Sequence, residues 1–245
     1  MLVSIVTVCY NSEKTIRRAI ESVLGQTYPK IEYIIVDGQS QDGTLAIARE
    51  YEDKFREKGY SYRIISEKDN GIYDAMNKGI RASSGEIVGM INSDDWYEPI
   101  AAETAAAAYA NNNFDIFYAD INLIKENGDV IVKQSREDKF PTSRHWNHPT
   151  TFVAKSAYNE MGLYACKGVY DDFDLVLRFR KAGKRVVIQN IVLANFCTGG
   201  ISNQKSLKSA IKRCKDRYRC YHDNGYSPFY ILECVAMELA KLILS

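Results

Sequence analysis

Short apolar runs alternate with amphipathic helical patterns through the first hundred residues, and few folds accept that rhythm. Residues 2–9 are apolar and β-branched without a turn signal, which predicts a strand buried on both faces. Asn11 and Ser12 stand where they can cap a helix over 13–24, with Ile16, Ala19, Ile20, Val23 and Leu24 on one face and Gly25 and Pro29 ending it. Residues 31–36 repeat the buried-strand pattern, a turn-rich loop covers 37–43, and a helix with a charged outer face covers 44–58. A third strand over 62–65, a loop over 66–71, a helix over 72–82 and a strand over 86–91 complete the series. Strands joined this way by helices form right-handed βαβ units in a parallel sheet, so the expected class is α/β with a central, mostly parallel sheet flanked by helices.

After Trp96 the rhythm changes. An Ala-rich helix is expected over 100–111, a hairpin over 116–125 and 129–133 around Glu126-Asn127-Gly128, and a short strand over 151–154. From Asn203 onward the pattern is helical. Residues 205–224 hold seven Lys or Arg and two Asp, and the following helix carries Ile231, Leu232, Val235, Leu239, Leu242 and Ile243. Two accounts fit this tail: a helical pair packed on the domain or on a second subunit, and peripheral attachment to an anionic membrane surface.

The formal net charge of the 245 residues is +1, which gives no hint of a nucleic-acid partner. None of the six cysteines forms Cys-x-x-Cys or sits at zinc-finger spacing with histidine, and Cys9 and Cys234 lie in apolar patterns as buried thiols do. No secretory pattern opens the chain and no run of 18 uncharged apolar residues occurs, so a reducing, cytoplasmic setting is expected, with membrane association limited to the inner face. The Gly-x-Gly-x-x-Gly and Gly-Lys-Ser/Thr phosphate loops are absent, as is a Gly-x-Ser-x-Gly elbow.

The strand expected over 86–91 breaks off at Asn92-Ser93-Asp94-Asp95. Ligands of open α/β sheets bind beyond the carboxyl ends of the strands, and two adjacent acids there repel one another unless a cation sits beside them. A hard divalent cation carrying a diphosphate suits such a pair. Asp94 as a helix N-cap would account for one acid and leave the other unexplained.

Several separated motifs occur in an order that resembles the inverting family-2 glycosyltransferases. They are Thr7-Val8-Cys9-Tyr10-Asn11, Gln26-Thr27-Tyr28, Glu32 through Gly38, and Ser40-x-Asp42-Gly43-Thr44. Gly71-Ile72-x-x-Ala75-x-Asn77-x-Gly79-Ile80, Gly85-Glu86-Ile87 through Asp94-Asp95, Tyr170 through Arg178, and Gly199-Gly200-Ile201-Ser202-Asn203 continue the likeness over about residues 1–203. It implies a Rossmann-like GT-A fold over 1–203, with 1–98 as nucleotide-binding half and 99–203 as acceptor half, and a helical extension over 204–245. The activity it implies is transfer of a sugar from a nucleotide-diphospho-sugar, UDP-linked above all, to an acceptor hydroxyl of a glycan or lipid-linked acceptor. Bacterial surface-polysaccharide biosynthesis is the implied setting.

By the same resemblance Val8, Tyr10, Asp37, Lys68, Asp69, Gly71, Asn77 and Asp94 would contact the nucleotide, and Asp95 would ligate Mg²⁺ or Mn²⁺. The spacing here is Asp-Asp where the family motif is written Asp-x-Asp. Asp172 aligns with the catalytic base, with Asp171 as the alternative, and repulsion among Asp171, Asp172 and Asp174 suits a base that has lost some of its water. Trp96, His148 and Asp171 would line the acceptor side, His148 within the His145–Thr150 segment that holds two of the three histidines. Two other classes remain open: a non-catalytic module that binds nucleotide-sugars or glycans, and a sugar nucleotidyltransferase, whose Gly-rich basic loop the Cys9–Ser12 segment lacks.

Overall fold

The computed structural model describes residues 1–198 and 206–244, and the side chains as far as Lys241. The four early strands pair in parallel in the spatial order β3 (Ser61–Ser66), β2 (Ile31–Asp37), β1 (Val3–Cys9), β4 (Ile87–Met90). The sheet then continues through β8 (Phe152–Ala154), β6 (Ile116–Ile124), β9 (Val186–Cys197) and β5 (Trp96–Tyr97), while β7 (Val130–Lys133) pairs with β6 as the expected hairpin. β8 runs antiparallel to both β4 and β6, β9 runs parallel to β6, and β5 runs antiparallel to β9. A single mixed sheet therefore crosses both halves of the chain.

Alternating strand side chains feed two cores, one on each face. On one face Val3, Ile5, Ile31, Tyr33 and Ile35 pack with α1 (Ile16–Leu24), α3 (Glu52–Glu57) and α5 (Ala101–Asn112). On the other face Val6, Val8, Ile34 and Val36 pack with α4 (Ile72–Ala82), α6 (Lys155–Met161) and α7 (Asp171–Lys181). The chain leaves β1 towards one side and returns to β4 on the other, so the strand order reverses between these two strands. A crevice opens there at their carboxyl ends.

Three elements differ from expectation. α1 begins at Ile16 and not at residue 13, because Asn11 and Ser12 are spent on the neighbouring loop: Asn11 Oδ1 accepts from Gln41 N (2.8 Å) and Ser12 N donates to Thr44 Oγ1 (2.7 Å). The helix expected over 44–58 is two helices, α2 (Thr44–Arg49) and α3, broken where Tyr51 turns into the core with its hydroxyl between Arg17 (3.0 Å) and Glu21 (2.6 Å). α7 starts at Asp171, so Asp171, Asp172 and Asp174 all lie in its first turn. β9 was not expected at all; its β-branched run is interrupted by Gln189-Asn190, where the β6–β9 register slips at a bulge near Asp120.

α8 (Leu207–Asp223) and α9 (Tyr230–Leu244) fold back on α7. Tyr221 stands edge-on to Phe173 (5.5 Å) and stacks on Tyr230 (4.1 Å). Arg213 meets Glu238 at 2.8 Å in a buried pair, and Arg217 lies over the ring of Tyr170 at 4.7 Å. Among the described residues no helix is long and apolar enough to cross a membrane. The Gly199–Asn203 motif lies outside the described residues.

Candidate active site

Parallel pairing sets Cys9, Asp37 and Ser66 side by side, so β1, β2 and β3 end at one level. Tyr10 follows β1 with 62% of its surface exposed, the one large ring standing free at this edge among the described residues. Asp37 is fully buried; its carboxylate accepts from Ser40 N (3.1 Å) and Ser66 Oγ (2.7 Å), which ties the 38–43 loop to β3. Gly38 lets the Asp69 carboxylate and the Tyr10 ring close in on the backbone: a Cβ there would meet Asp69 Oδ2 at 2.4 Å and the Tyr10 ring at 3.4 Å. Tyr10, Gly38 and Asp69 thus form one shallow cradle over buried Val8 and Asp37. Lys68 is exposed beside it, and Gly71, at φ +114°, donates its N–H to Asp69 Oδ1 (2.9 Å) and opens α4.

The loop after β4 carries the acid pair to the same crevice, where Ser93 Oγ donates to Ser12 Oγ (2.9 Å). Asp94 is partly exposed and Asp95 only 1% exposed. Asp95 Oδ1 accepts the backbone N–H of Cys197 at 3.0 Å, at the end of β9. Its Oδ2 is buried with no hydrogen-bond partner. Burial, and then the charge of Asp94, push the Asp95 carboxyl well above the usual carboxylate range, against the opposing pull of the Cys197 amide, Asn92 and Arg18. Arg18 stacks on Trp96 (3.7 Å) and donates to the Asp94 carbonyl (2.9 Å), so one cation already stands beside the pair. The N-cap of α5 is Ile100, which removes Asp94 from any capping role.

An ionised carboxylate with one satisfied oxygen and one buried, unpartnered oxygen is the donor type a hard cation takes. No cluster of three or more His, Cys, Asp or Glu side chains suited to a metal occurs among the described residues. Asp95, with Asp94 adjacent, therefore fits Mg²⁺ or Mn²⁺ only in company with oxygens from a ligand.

Asp172 lies in the first turn of α7, with Oδ1 accepting its neighbour's N–H (Phe173, 2.8 Å). Side chains from three other segments surround it. Tyr73 in the first turn of α4 has its hydroxyl driven well above its ordinary value by burial and then by Asp172, and donates to the Val169 carbonyl (3.1 Å). His148 is pushed down by burial, with Asp172 opposing. Tyr164, 3.5 Å from His148 Nε2, is pushed up by burial first and by Asp172 among lesser causes. Tyr73 follows the 66–71 loop directly, so the segment that carries Lys68, Asp69 and Gly71 also brings a side chain to Asp172.

Two expected contacts are overturned. Asp171 is fully buried, with its carboxylate taken by the N–H groups of Lys167 and Gly168 (3.2 Å) and by Arg219 (3.1 Å); it anchors the loop that presents Asp172 and has no surface to offer an acceptor. Asn77 is 4% exposed and spends both ends of its amide on Tyr164, donating to its carbonyl (2.9 Å) and accepting from its N–H (3.0 Å), so it braces α4 rather than facing a nucleotide. Trp96 is partly exposed with Arg18 over one face. Arg18, Tyr73 and Tyr164 escaped the sequence reading. Tyr73 alone carried a signal, as an unassigned position inside the Gly71–Ile80 motif.

In architecture the molecule is a GT-A fold. It superposes on residues 1–349 of *Staphylococcus aureus* TarS solved with UDP-GlcNAc, at TM-score 0.71 and 19% identity over 98% of this chain and 72% of that one. It also matches the *Pyrobaculum calidifontis* mannosyltransferase PcManGT, solved with GDP-Man and Mn²⁺, at TM-score 0.67 and 16% identity over 99% of this chain and 70% of that one. Residues 4–167 match the profile of Glycosyl transferase family 2, and the chain belongs to that family. It is 30% identical over 189 residues to *Escherichia coli* chondroitin synthase, covering 74% of this chain, and 29% identical over 140 residues to *Haloferax volcanii* glycosyltransferase AglE, covering 56%. The chain spans only 27% and 44% of those two proteins.

Proposed function

We propose that this chain is an inverting glycosyltransferase that moves a sugar from a nucleotide-diphospho-sugar, UDP-linked by preference, to an acceptor hydroxyl. The observation that carries the reading is the buried, partnerless Oδ2 of Asp95 beside Asp94 at the carboxyl edge of the sheet. Complexes of the structurally similar TarS with UDP-GlcNAc and of PcManGT with GDP-Man and Mn²⁺ support a nucleotide-sugar, and the second keeps a guanine nucleotide in contention.

Residues 1–98 hold the donor in this reading. Tyr10 lies against the base, the cradle of Val8, Asp37, Gly38, Asp69 and Gly71 shapes its pocket, Lys68 approaches the nucleotide from the open side, and Asp94 reaches the sugar of the nucleoside. Asp95 would hold Mg²⁺ or Mn²⁺. When bound, that ion neutralises charge on the diphosphate leaving group, so no side chain need protonate it. Arg18 adds a fixed positive charge at the same place.

Residues 99–203 hold the acceptor, with Trp96 and His148 along its path. Asp172 accepts the proton of the acceptor hydroxyl. That oxygen attacks the anomeric carbon from the face opposite the diphosphate, the carbon–oxygen bond to the diphosphate breaks with its electron pair leaving on the nucleotide, and configuration inverts. Tyr73 and Tyr164, both with buried hydroxyls, stand in the field of Asp172. Burial keeps His148 neutral at pH 7, so it can accept a hydrogen bond from the acceptor. α8 and α9 buttress α7 and provide the surface for a second subunit or an anionic membrane. A role in polysaccharide biosynthesis accords with the likeness to a chondroitin synthase.

Asp172→Asn tests the assignment. Its nucleotide affinity, measured by titration with UDP and Mn²⁺, should stay within about twofold of the parent. Transfer should fall by about 10²–10⁴-fold, the usual worth of a general base. Retained turnover, or product of retained anomeric configuration by NMR, refutes it.

A further inference from the structure

A cavity of about 370 Å³ is walled by Val132, Lys133, Gln134, Arg136, Arg144 and His145. Four of these six residues are basic and none is acidic. Arg136 and His145 share one carboxylate behind the wall: Arg136 Nε donates to Asp138 at 3.0 Å, and His145 Nδ1 lies 2.7 Å from it. Neither of the other two cations is in an ion pair among the described residues. Lys133 Nζ donates to the Trp146 carbonyl (2.9 Å) and forms no ion pair among the described residues. The Arg144 side chain is exposed and has no hydrogen-bond or ion-pair partner among them.

Lys133 is also the link to the catalytic side. Burial and then the neighbouring Lys241 push its ammonium down to about 8, while Asp172 opposes them. The Trp146 whose carbonyl it binds packs against Phe173 (6.2 Å) and His148 (5.9 Å), the immediate neighbours of Asp172 in sequence and in space. A desolvated ammonium crowded by a second one is costly, and an anion in the cavity would offset that cost. A guanidinium free to turn its planar fork inward recognises carboxylate or phosphate by two parallel hydrogen bonds.

The geometry points to an oxyanion subsite: this cavity holds the phosphate or carboxylate of an acidic acceptor, gripped by Arg144 and Lys133, while the acceptor's hydroxyl reaches Asp172. The word acceptor rests on the functional reading above; the oxyanion site does not.

The test uses the full chain, free of divalent metal and at constant ionic strength, titrated with glucose 1-phosphate, methyl β-glucuronide and methyl β-glucoside. Binding is followed by NMR of the arginine Nε–H groups in ¹⁵N-labelled protein. One or both anions should shift the Arg144 signal saturably and the neutral glucoside should not; which anion binds tells phosphate from carboxylate. Arg144→Ala should weaken the anion about tenfold, the worth of about 1.4 kcal/mol, and Arg144→Lys should recover part of the loss. Both variants should bind UDP as the parent does, since Arg144 is exposed and outside the donor cradle. The subsite is overturned if no anion shifts Arg144, if the glucoside binds equally, or if Arg144→Ala leaves anion binding unchanged. An oxyanion bound at Arg144 together with full transfer by Asp172→Asn would sink the functional reading and leave the subsite standing.

Discussion

Asp95→Asn separates the two demands on the acid pair, since a group placed for a ligand burdens the protein without it. Asp95 Oδ2 is buried and unpartnered, and Asp94 repels its charge. An unsatisfied buried acceptor costs about 1–3 kcal/mol. Asparagine keeps an oxygen for the Cys197 N–H and removes the charge, while its amide brings new donors, so the expected net gain is about 1–2 kcal/mol. For a chain of this size that is a rise in Tm of about 2–8 °C. The pH dependence has a definite sign. The Asp95 carboxyl is raised in the folded state, so between the ordinary carboxylate range and that raised value the folded chain holds a proton the unfolded chain has released. Parent stability therefore falls as pH rises through this window, and below it the penalty is absent; Asp95→Asn lacks this slope. With Mn²⁺ and UDP at about a hundred times Kd the parent should gain about 2.7 kcal/mol and the variant far less. The assay is thermal melting followed by circular dichroism between pH 4 and 8, in chelator and with the two ligands. The reasoning fails if the variant melts below the parent in chelator at pH 7, or if it keeps the full ligand-induced rise.

Asn77→Ala should cost about 1–3 kcal/mol, because it leaves the N–H and carbonyl of Tyr164 without partners in a buried place, and should leave UDP affinity unchanged; urea melts and a nucleotide titration read the two effects separately. Gly89→Ala should cost about 1–3 kcal/mol by overpacking, since the added Cβ would meet three Phe152 ring atoms at 2.4, 2.8 and 2.9 Å where β4 pairs with β8; a denaturant midpoint equal to the parent's would show that β8 yields freely.

The early half of the fold was legible because each strand there is a contiguous apolar run bounded by turn residues, and each helix shows its stripe within a dozen residues. β9 was not, because its pairing with β6 and β5 supplies what its mixed sequence conceals: Gln189 and Asn190 sit at the bulge, where side chains leave the regular alternation. Much of the candidate site was legible for a related reason. Asp94 and Asp95 follow the carboxyl end of β4, where sheet topology alone predicts a ligand, whereas Asp172, in the first turn of α7, was singled out only by the family resemblance. Asp171 and Asn77 misled because a polar residue in a motif can serve the scaffold as readily as a substrate. Only their hydrogen bonds to Arg219 and Tyr164 separate the two uses.

The chain's own order of residues determined the parallel layer, the crevice at the ends of β1 and β4, and the placing of two neighbouring carboxylates at its edge. Those are consequences of local periodicity and of short right-handed connections. Tertiary structure alone decided that Asp95 would lose its water with one oxygen unpartnered, that Arg18 from α1 would stand beside it, and that Lys133 and Arg144 would share a cavity. Burial and through-space charge depend on segments far apart in sequence, and no local pattern encodes the distance between them.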